Sequence, residues 1–578
     1  MTEAVLPHAE AAAKRRFSLL AMPPAVLVLA ALLLLLIVPP LVYLVQASFY
    51  TTTRTGGFGL FTTRYYEALA TSPRFLGEFR DTAIYAAGSA FVAILLGGLQ
   101  AWIVERTDTP LRRYGFLVAI LSLSIPNVLY TIAWLLLLGK SGPLNIGLQF
   151  LFSAGRGTVN VSTMPGMILI EGVGYAPLAF FLLSSVFRAA DASFEEASMM
   201  SGAGIFKTFK NITLKLALPG VLALMLLIFI RAFESFEVPA LVGRPGNIRL
   251  LTTEIYQSIA KSLPPNYGQA GAFSVALLVF VAIMLAWYGR LSRHAEKFRT
   301  ITGKGYRPRV MRLGRWRWLT AALLVMLFLL IIGIPLAILL YASLVPFYEG
   351  FTALPARLTL AHYQIVWGSA SFRESIGNTL ILGAGTTTLV VPLTALCAWY
   401  AARRKPGGWL LDQLATAPLV FPAIVLGVAF LQLFLSLPFS FYGTLVSIIV
   451  AAMVRELPYG MRYAYAGVLQ MHPELEEASS ASGARQHTTF LRVVMPLIAP
   501  ALATCWLFVF LNTVRQVAMP ILLTGPRSQI VAVTLFELWE NGQVTELAAM
   551  GISWMVLMTC VSGAFFLVAR RYGGLAIR

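Results

Sequence analysis

Seven charged residues lie inside stretches of the chain that are otherwise apolar. They are Glu171, Arg231, Glu234, Glu237, Arg455, Glu456 and Arg515. A charged side chain within a membrane is costly, so it usually faces the interior of a helix bundle, where it pairs with another charge or lines a polar pathway. We therefore take all seven as candidate pathway residues. Ion pairing that only supports the structure is the alternative.

Two pairs of adjacent carboxylates, Glu195-Glu196 and Glu476-Glu477, could suggest acid–base catalysis. Neighbouring residues on a helix do not converge on one atom, so neither pair forms a catalytic dyad. The sequence has no cluster of Asp, Glu and His at one membrane face and no nucleophile beside a base. A membrane enzyme, such as a lipid-linked transferase, is therefore disfavoured.

Metal and nucleotide sites are not predicted in this chain. The five histidines have no metal-ligand spacing, and the three cysteines all fall in apolar stretches without a CxxC pair. Gly139-Lys140-Ser141 resembles the end of a P-loop, but Trp134 stands where the motif needs its first glycine. We expect no cofactor in the chain itself.

The composition is that of a polytopic membrane protein. Of 578 residues, 58% are hydrophobic and only 12% are charged, and the mean hydropathy is +0.76. A soluble chain carries about 25% charged residues. The net charge of +19 is explained by the Lys and Arg that collect in cytoplasmic loops, so nucleic acid is not an expected partner.

Twelve stretches are long and apolar enough to cross a bilayer, which takes about 20 residues. They lie near 24–48, 82–104, 114–138, 166–188, 217–241, 269–289, 318–345, 375–401, 409–436, 443–466, 497–520 and 547–569. A basic linker, 290–317, separates the first six from the last six. Lys and Arg favour the face that holds the linker and both termini, so we expect that face to be cytoplasmic.

The two halves repeat each other. FEEASMMSGAGIFKTFKNITLKLALP at 194–219 matches LEEASSASGARQHTTFLRVVMPLIAP at 475–500, with a constant offset of 281 positions. The same offset relates Glu234 to Arg515, which could pair with each other. We predict a tandem duplication in parallel orientation, with units at 1–289 and 318–578 joined by the linker.

Each repeated segment lies between the fourth and fifth spans of its unit and is typical of a short helical hairpin. The paired glutamates suit the first turn of a helix, where carboxylates meet the positive end of the helix dipole. Gly202 and Gly483 suit the bend, since glycine adopts positive φ readily. Such a hairpin either lies on lipid headgroups or docks a partner. Two matching copies favour a partner that is itself present twice.

Both segments resemble the EAA motif of ABC importer permeases, in which Glu-Ala-Ala is followed after three residues by Gly and after nine more by Ile-x-Leu-Pro. The residues that the resemblance assigns to ATPase coupling are Glu195, Glu196, Ala197, Gly202, Glu476, Glu477, Ala478 and Gly483. The first copy departs from the pattern at Lys215, where the family has Pro.

The layout of two fused units resembles the ferric-iron permeases of binding-protein-dependent importers, as do the stretches at 231–243, 252–258 and 515–526. The resemblance implies an all-α fold of two six-helix, type I permease units in a bacterial inner membrane. It also implies a periplasmic binding protein that delivers the substrate, and two cytoplasmic ATPases that bind ATP and Mg²⁺ and each receive one hairpin.

Ferric iron is the substrate that this resemblance favours. Related permeases carry thiamine, polyamines, phosphonates or sugars, and in this class the binding protein sets most of the selectivity. An ion-coupled secondary transporter also uses parallel six-helix repeats, but it leaves the paired hairpins unexplained.

Overall fold

The computed structural model describes residues 22–53, 57–116, 119, 122, 125–153, 155, 157–189, 193–297, 310–348 and 358–573. Across these residues the fold is helical apart from one antiparallel pair of strands, Tyr50–Thr52 and Phe58–Phe61. Residues 298–309 of the predicted linker lie outside the described residues.

The helices of the first half, in chain order, are Pro24–Ser48, Arg64–Thr71, Pro73–Arg106, Asn127–Leu138, Pro143–Phe152, Met164–Ala189, Ser193–Met200, Ile205–Thr208, Leu214–Phe233, Leu251–Ala260 and Tyr267–Lys297. Those of the second half are Trp316–Phe328, Ile334–Leu344, Ala361–Gly368, Ala370–Ala402, Gly408–Thr416, Ala423–Ser436, Leu445–Gln470, Glu474–Ala481, Gln486–Thr489, Met495–Val514, Val531–Glu540 and Val544–Gly573.

Single π-helical turns connect several of these helices. They lie at Phe209–Thr213, Pro239–Gly243, Leu329–Gly333 and Phe490–Val494. Short 3₁₀ turns lie at Arg112–Tyr114, Arg244–Gly246, Ala417–Val420 and Pro520–Leu522.

By length and composition, 10 helices of the described residues could cross a membrane, and a pair bent by 104° (Gly408–Val420 with Ala423–Ser436) brings the number to 11. This confirms an all-α polytopic fold, with a count slightly below the predicted twelve. The remaining predicted span is helical, as Leu445–Gln470, but Arg455, Glu456 and Arg462 fall within it and lower its hydropathy.

Three predicted spans differ from the helices observed. Within the span placed at 114–138, the helix Asn127–Leu138 begins directly after Pro126, since the residue before a proline disfavours the α conformation. The spans placed at 217–241 and 497–520 have their helices end at Phe233 and Val514. The segment between the third and fourth predicted spans, 139–165, contains a short helix, Pro143–Phe152.

The packing core near the first repeated segment lies between the helices Pro73–Arg106 and Met164–Ala189. Ile103, Phe180 and Phe187 are buried there among other apolar side chains. A Cβ on Gly97 would lie 2.4 Å from the Ala176 carbonyl oxygen, so only glycine allows the two backbones to approach this closely.

The chain divides into two compact units. One contains Met1–Val38, Thr388–Pro418 and Glu456–Trp506, and the other contains Pro39–Thr387, Leu419–Arg455 and Leu507–Arg578. The domain boundary that the repeat places at the linker stays a prediction.

Candidate functional site

The two repeated segments fold into the same hairpin. The first hairpin (193–213) consists of Ser193–Met200, a turn, Ile205–Thr208 and the π turn Phe209–Thr213. The second hairpin (474–494) consists of Glu474–Ala481, a turn, Gln486–Thr489 and the π turn Phe490–Val494. Each hairpin continues directly into a long apolar helix, so a displacement of the hairpin is passed to that helix without an intervening loop.

A glycine with positive φ forms the bend of each hairpin. Gly202 has φ +83° and Gly483 has φ +81°. Directly after them, the amides of Ala203 and Ala484 donate to the carbonyl oxygens of Ser198 and Ser479, at 3.1 and 3.2 Å. This arrangement satisfies carbonyls at the end of the first helix, and the left-handed conformation is the reason that glycine occupies both positions.

A pair of hydroxyl groups closes each hairpin. Ser198 Oγ lies 3.0 Å from Thr208 Oγ1, and Ser479 Oγ lies 2.9 Å from Thr489 Oγ1. Thr208 and Thr489 are both buried. The sequence analysis did not assign these residues, although the 281-position offset relates both pairs and would have revealed them.

The first glutamate of each pair is an anchor behind the hairpin. Glu195, 4% exposed, accepts a hydrogen bond from Thr213 Oγ1 at 2.6 Å and has Arg106 Nη1 at 3.5 Å. Glu476 accepts hydrogen bonds from Arg403 Nε at 2.7 Å and from Trp399 Nε1 at 2.8 Å.

The two anchoring arginines end equivalent helices of the two repeats, since Arg106 is the last residue of Pro73–Arg106 and Arg403 directly follows Ala370–Ala402. The sequence analysis missed both. The signal that could have found them is the match of QAWIVER, which ends at Arg106, with CAWYAAR, which ends at Arg403.

The second glutamate of each pair lies toward the surface of its hairpin, since Glu196 is half-buried and Glu477 is exposed. Ala197 and Ala478 beside them are exposed. Large apolar side chains on the hairpins are also exposed: Phe194, Met199, Met200, Phe206, Leu475 and Leu491. A carboxylate beside exposed apolar side chains is typical of a protein-binding surface.

The second anchor has an additional cation, Lys405, beside it. Lys405 Nζ lies 3.2 Å from the centroid of the Trp399 ring, the ring whose indole N–H binds Glu476. The pKa of Lys405 is lowered to about 8, mainly by burial, with Glu476 opposing the shift and Arg403 contributing to it. The two hairpins therefore have matching backbones but different electrostatic surroundings.

The candidate pathway residues separate into local groups. Arg231 Nη1 lies 2.6 Å from Glu234 Oε1, three residues away at the end of the helix Leu214–Phe233. This ion pair favours a structural role for these two residues. Arg515 donates to Asn512 Oδ1 at 3.3 Å, and pairing of Glu234 with Arg515 stays a prediction.

Glu171 and Glu237 line one small cavity of about 50 Å³, together with Tyr130, Thr131 and Tyr175. Tyr175 also donates a hydrogen bond to the Arg231 carbonyl oxygen at 3.1 Å, which connects the cavity to the Arg231–Glu234 pair. Arg455 Nη1 donates to the Phe421 carbonyl oxygen at 3.4 Å, and Glu456 is fully buried. Among the described residues, no group of three or more His, Cys, Asp or Glu could hold a metal ion.

Comparison with known proteins gives one family. The model of the family described as "Binding-protein-dependent transport system inner membrane component" matches residues 93–297 and 391–574. Each half of the chain therefore contains one match, and this confirms the tandem repeat.

Two curated relatives are similar to this chain. The first is the "Ferric transport system permease protein" of Actinobacillus pleuropneumoniae, 28% identical over 460 residues. The alignment covers 77% of this chain but only 64% of that relative's length. The second is the "Fe(3+)-transport system permease protein" of Haemophilus influenzae, 23% identical, with 86% of this chain and 90% of the relative covered.

A solved bacterial ABC transporter that imports alginate is also similar, at 19% identity and a TM-score of 0.37. The similarity covers 45% of this chain and 97% of that one.

Proposed function

We propose a function on one premise: the chain belongs to the family of binding-protein-dependent transport system inner membrane components. It is a multi-pass protein of the inner membrane, and we infer that it is the permease subunit of an ATP-driven importer of ferric iron. The observation that carries this proposal is the pair of matching hairpins, each anchored to a helix of its own repeat.

The hairpins are the sites where we place the ATPase partners. Two ATPase chains bind ATP and Mg²⁺, and each contacts one hairpin through Glu196 or Glu477 and the exposed apolar side chains around it. The bends at Gly202 and Gly483 hold the two arms of each hairpin together, while Ala197 and Ala478 keep the contact surface flat. No nucleotide is bound by this chain in the proposed mechanism.

The anchors convert movement of the ATPases into movement of the permease. A displacement of the first hairpin reaches Pro73–Arg106 through the Glu195–Arg106 ion pair, and reaches Leu214–Phe233 through the continuous backbone. The second hairpin acts on Ala370–Ala402 through Arg403 and Trp399, and on Met495–Val514. Because both routes consist of buried or half-buried contacts to rigid helices, little of the displacement is lost in flexible loops.

The hairpin side is the cytoplasmic side in this proposal, together with both termini. A periplasmic binding protein delivers its ligand to the opposite side. Ferric iron is proposed as that ligand because two relatives with the same fused layout carry ferric transport in their names. A trivalent hard cation also suits oxygen ligands, of which this chain has several in and near its spans.

Association with the ATPase is tested by affinity purification of the tagged chain from its native membrane in mild detergent. We expect two ATPase chains per permease, measured by quantitative mass spectrometry. The variant Glu196→Arg with Glu477→Arg reverses both hairpin charges and is expected to lose the ATPase. Glu374→Arg, an exposed carboxylate outside the hairpins, is the matched control and retains it. Equal recovery of the ATPase with the hairpin variant would contradict the proposed contact.

A further inference from the structure

At the end of Pro73–Arg106 opposite the first hairpin, two buried carboxylates share one arginine. Arg74 Nε lies 2.9 Å from Glu78 Oε1, and Arg74 Nη2 lies 2.6 Å from Glu254 Oε1. Both contacts use the same edge of the guanidinium group. A single cation placed at that edge can therefore be shared by both carboxylates.

The carboxylates and the arginine differ sharply in exposure. The Arg74 side chain is 55% exposed, while the side chains of Glu78 and Glu254 are 6% and 7% exposed. The second oxygens, Glu78 Oε2 and Glu254 Oε2, are buried and accept no hydrogen bond. A buried, unpaired carboxylate oxygen is unfavourable, so two oxygens at this place have unused capacity to bind a cation.

An open groove of about 620 Å³ reaches Glu78 and is also lined by Arg74, Asp81 and Arg249. Asp81 pairs with Arg80 at 2.9 Å, and Arg249 is exposed. Arg74 and Arg249 therefore lie on the groove side of Glu78, where their side chains can move away. The helix of 34 residues is about 51 Å long, longer than the bilayer core of about 30 Å, so its first turns extend beyond the membrane.

The second repeat has the same hydrogen bonds near the start of its long helix, but without the two carboxylates. We call this place, where the long helix meets a later segment of its repeat, the corner. Thr82 Oγ1 donates to the Glu78 carbonyl oxygen at 2.6 Å and accepts from Leu251 N at 3.1 Å. Thr379 Oγ1 likewise donates to the Ser375 carbonyl oxygen at 2.6 Å and accepts from Val531 N at 2.8 Å.

These two pairs of hydrogen bonds identify which residues of the two repeats are equivalent at this corner. Ser375 takes the place of Glu78. Thr534, three residues after Val531, takes the place of Glu254, three residues after Leu251. The fold of the corner therefore does not require the two carboxylates, and their presence in the first repeat alone needs another reason.

We propose that Glu78 and Glu254 form an entry site for a hard multivalent cation, Fe³⁺ in the proposed function, at the end of the first repeat opposite its hairpin. Arg74 occupies the site until the cation arrives and then swings into the groove. The ligands are carboxylate oxygens, which suit a hard ion. This inference rests on the proposed function for the identity of the cation, and on the geometry above for the site.

The test is iron binding by the purified full-length chain in detergent, with Fe³⁺ supplied as its nitrilotriacetate complex and bound iron measured after equilibrium dialysis. We expect Glu78→Ser with Glu254→Thr, which installs the residues of the second repeat, to lose about tenfold or more in affinity. We expect Arg74→Ala to bind iron about tenfold more tightly, because the competing tethered cation is gone.

Equal iron binding by the wild type and the double variant would overturn the site, and so would weaker binding by Arg74→Ala. If the double variant fails to fold, the exposed Arg74→Ala substitution decides the matter alone. Iron uptake by cells separates the two proposals. If cells import iron through the wild-type chain but both variants bind iron as the wild type does, the proposed function stands and the proposed site is contradicted. If the chain and its variants bind iron as expected but the wild-type chain imports no iron, the proposed site stands and the proposed function is contradicted.

Discussion

At the scale of single residues, the two glutamates of each pair have different surroundings and therefore different roles. Glu195 is buried against Arg106 and Thr213, whereas Glu477 is exposed on its hairpin. In the proposed function, the first glutamate of each pair holds the hairpin in place and the second contacts the ATPase.

Substitution of the buried anchor is expected to destabilise the protein. Glu195→Gln leaves Arg106 without its carboxylate in a buried place, and breaking a buried ion pair in this way costs about 3–5 kcal/mol. Glu477→Gln changes an exposed side chain and is expected to stay within about 0.5 kcal/mol. Thermal unfolding of both variants in detergent measures the difference. Equal melting temperatures would show that the Glu195–Arg106 contact does not stabilise the fold.

The half-buried ammonium group of Lys405 predicts a pH dependence confined to the second anchor. Its pKa is lowered from 10.5 to about 8 by burial, so between these values the unfolded chain binds more protons than the folded chain. The stability therefore rises with pH across this window. The Lys405 ammonium group is faced by Arg403, Glu476 and Tyr400. The substitution Lys405→Met leaves all three in place.

We therefore expect the melting temperature of the wild type, relative to Lys405→Met, to increase from pH 8 to pH 10. A difference that stays constant over this range would mean that Lys405 keeps its ordinary pKa.

At the scale of elements, the hairpins depend on one backbone conformation at their bends. The positive φ of Gly202 is disfavoured for any residue with a Cβ by about 1–2 kcal/mol. Gly204, two residues later, has φ −70° and open space around it. These neighbouring glycines provide a matched pair of positions within one hairpin.

Gly202→Ala is expected to weaken recovery of the ATPase with the tagged permease, because the arms of the hairpin lose their fixed angle. Gly204→Ala is expected to leave recovery unchanged. Quantitative mass spectrometry of the purified complexes compares the two. Similar losses in both variants would indicate that the bend does not need a left-handed residue.

Some features of the helices and hairpins could be predicted from the sequence, and others could not. Hydropathy predicted most spans, and the 281-position repeat predicted both hairpins, because these are periodic and local properties. The helix start at Asn127, inside the third predicted span, and the helix end at Phe233, before the end of the fifth, were not predicted, since hydropathy does not report where a helix breaks. Arg106 and Arg403 were missed because they are distant in sequence from the glutamates that they bind, and only packing brings them together.

At the scale of the whole molecule, the repeats share a backbone plan and differ in charge. Glu78 and Glu254 have neutral counterparts in the second repeat, Ser375 and Thr534, and Lys405 distinguishes the second anchor. A protein with two repeats can keep two equivalent contacts for a partner that is present in two copies. It can at the same time use only one repeat for a polar site.

The proposed orientation is tested by labelling single cysteines in a Cys560→Ser background, since Cys560 is the exposed cysteine of the chain. Leu263, 97% exposed, lies on the side opposite the hairpins in this proposal, and Arg315 lies in the linker. We expect a membrane-impermeant maleimide to label Leu263→Cys in intact spheroplasts and Arg315→Cys only after permeabilisation. The reverse pattern would place the hairpins outside the cell.

The most direct test of the central claim is iron transport by the reconstituted complex. The purified permease, its ATPase and its binding protein loaded with radioactive Fe³⁺ are combined in proteoliposomes, with ATP enclosed and the binding protein outside. We predict accumulation of iron that requires enclosed ATP and is abolished by Glu196→Arg with Glu477→Arg. Iron accumulation that proceeds without ATP and persists in the hairpin variant would contradict an ATP-driven importer coupled through these hairpins.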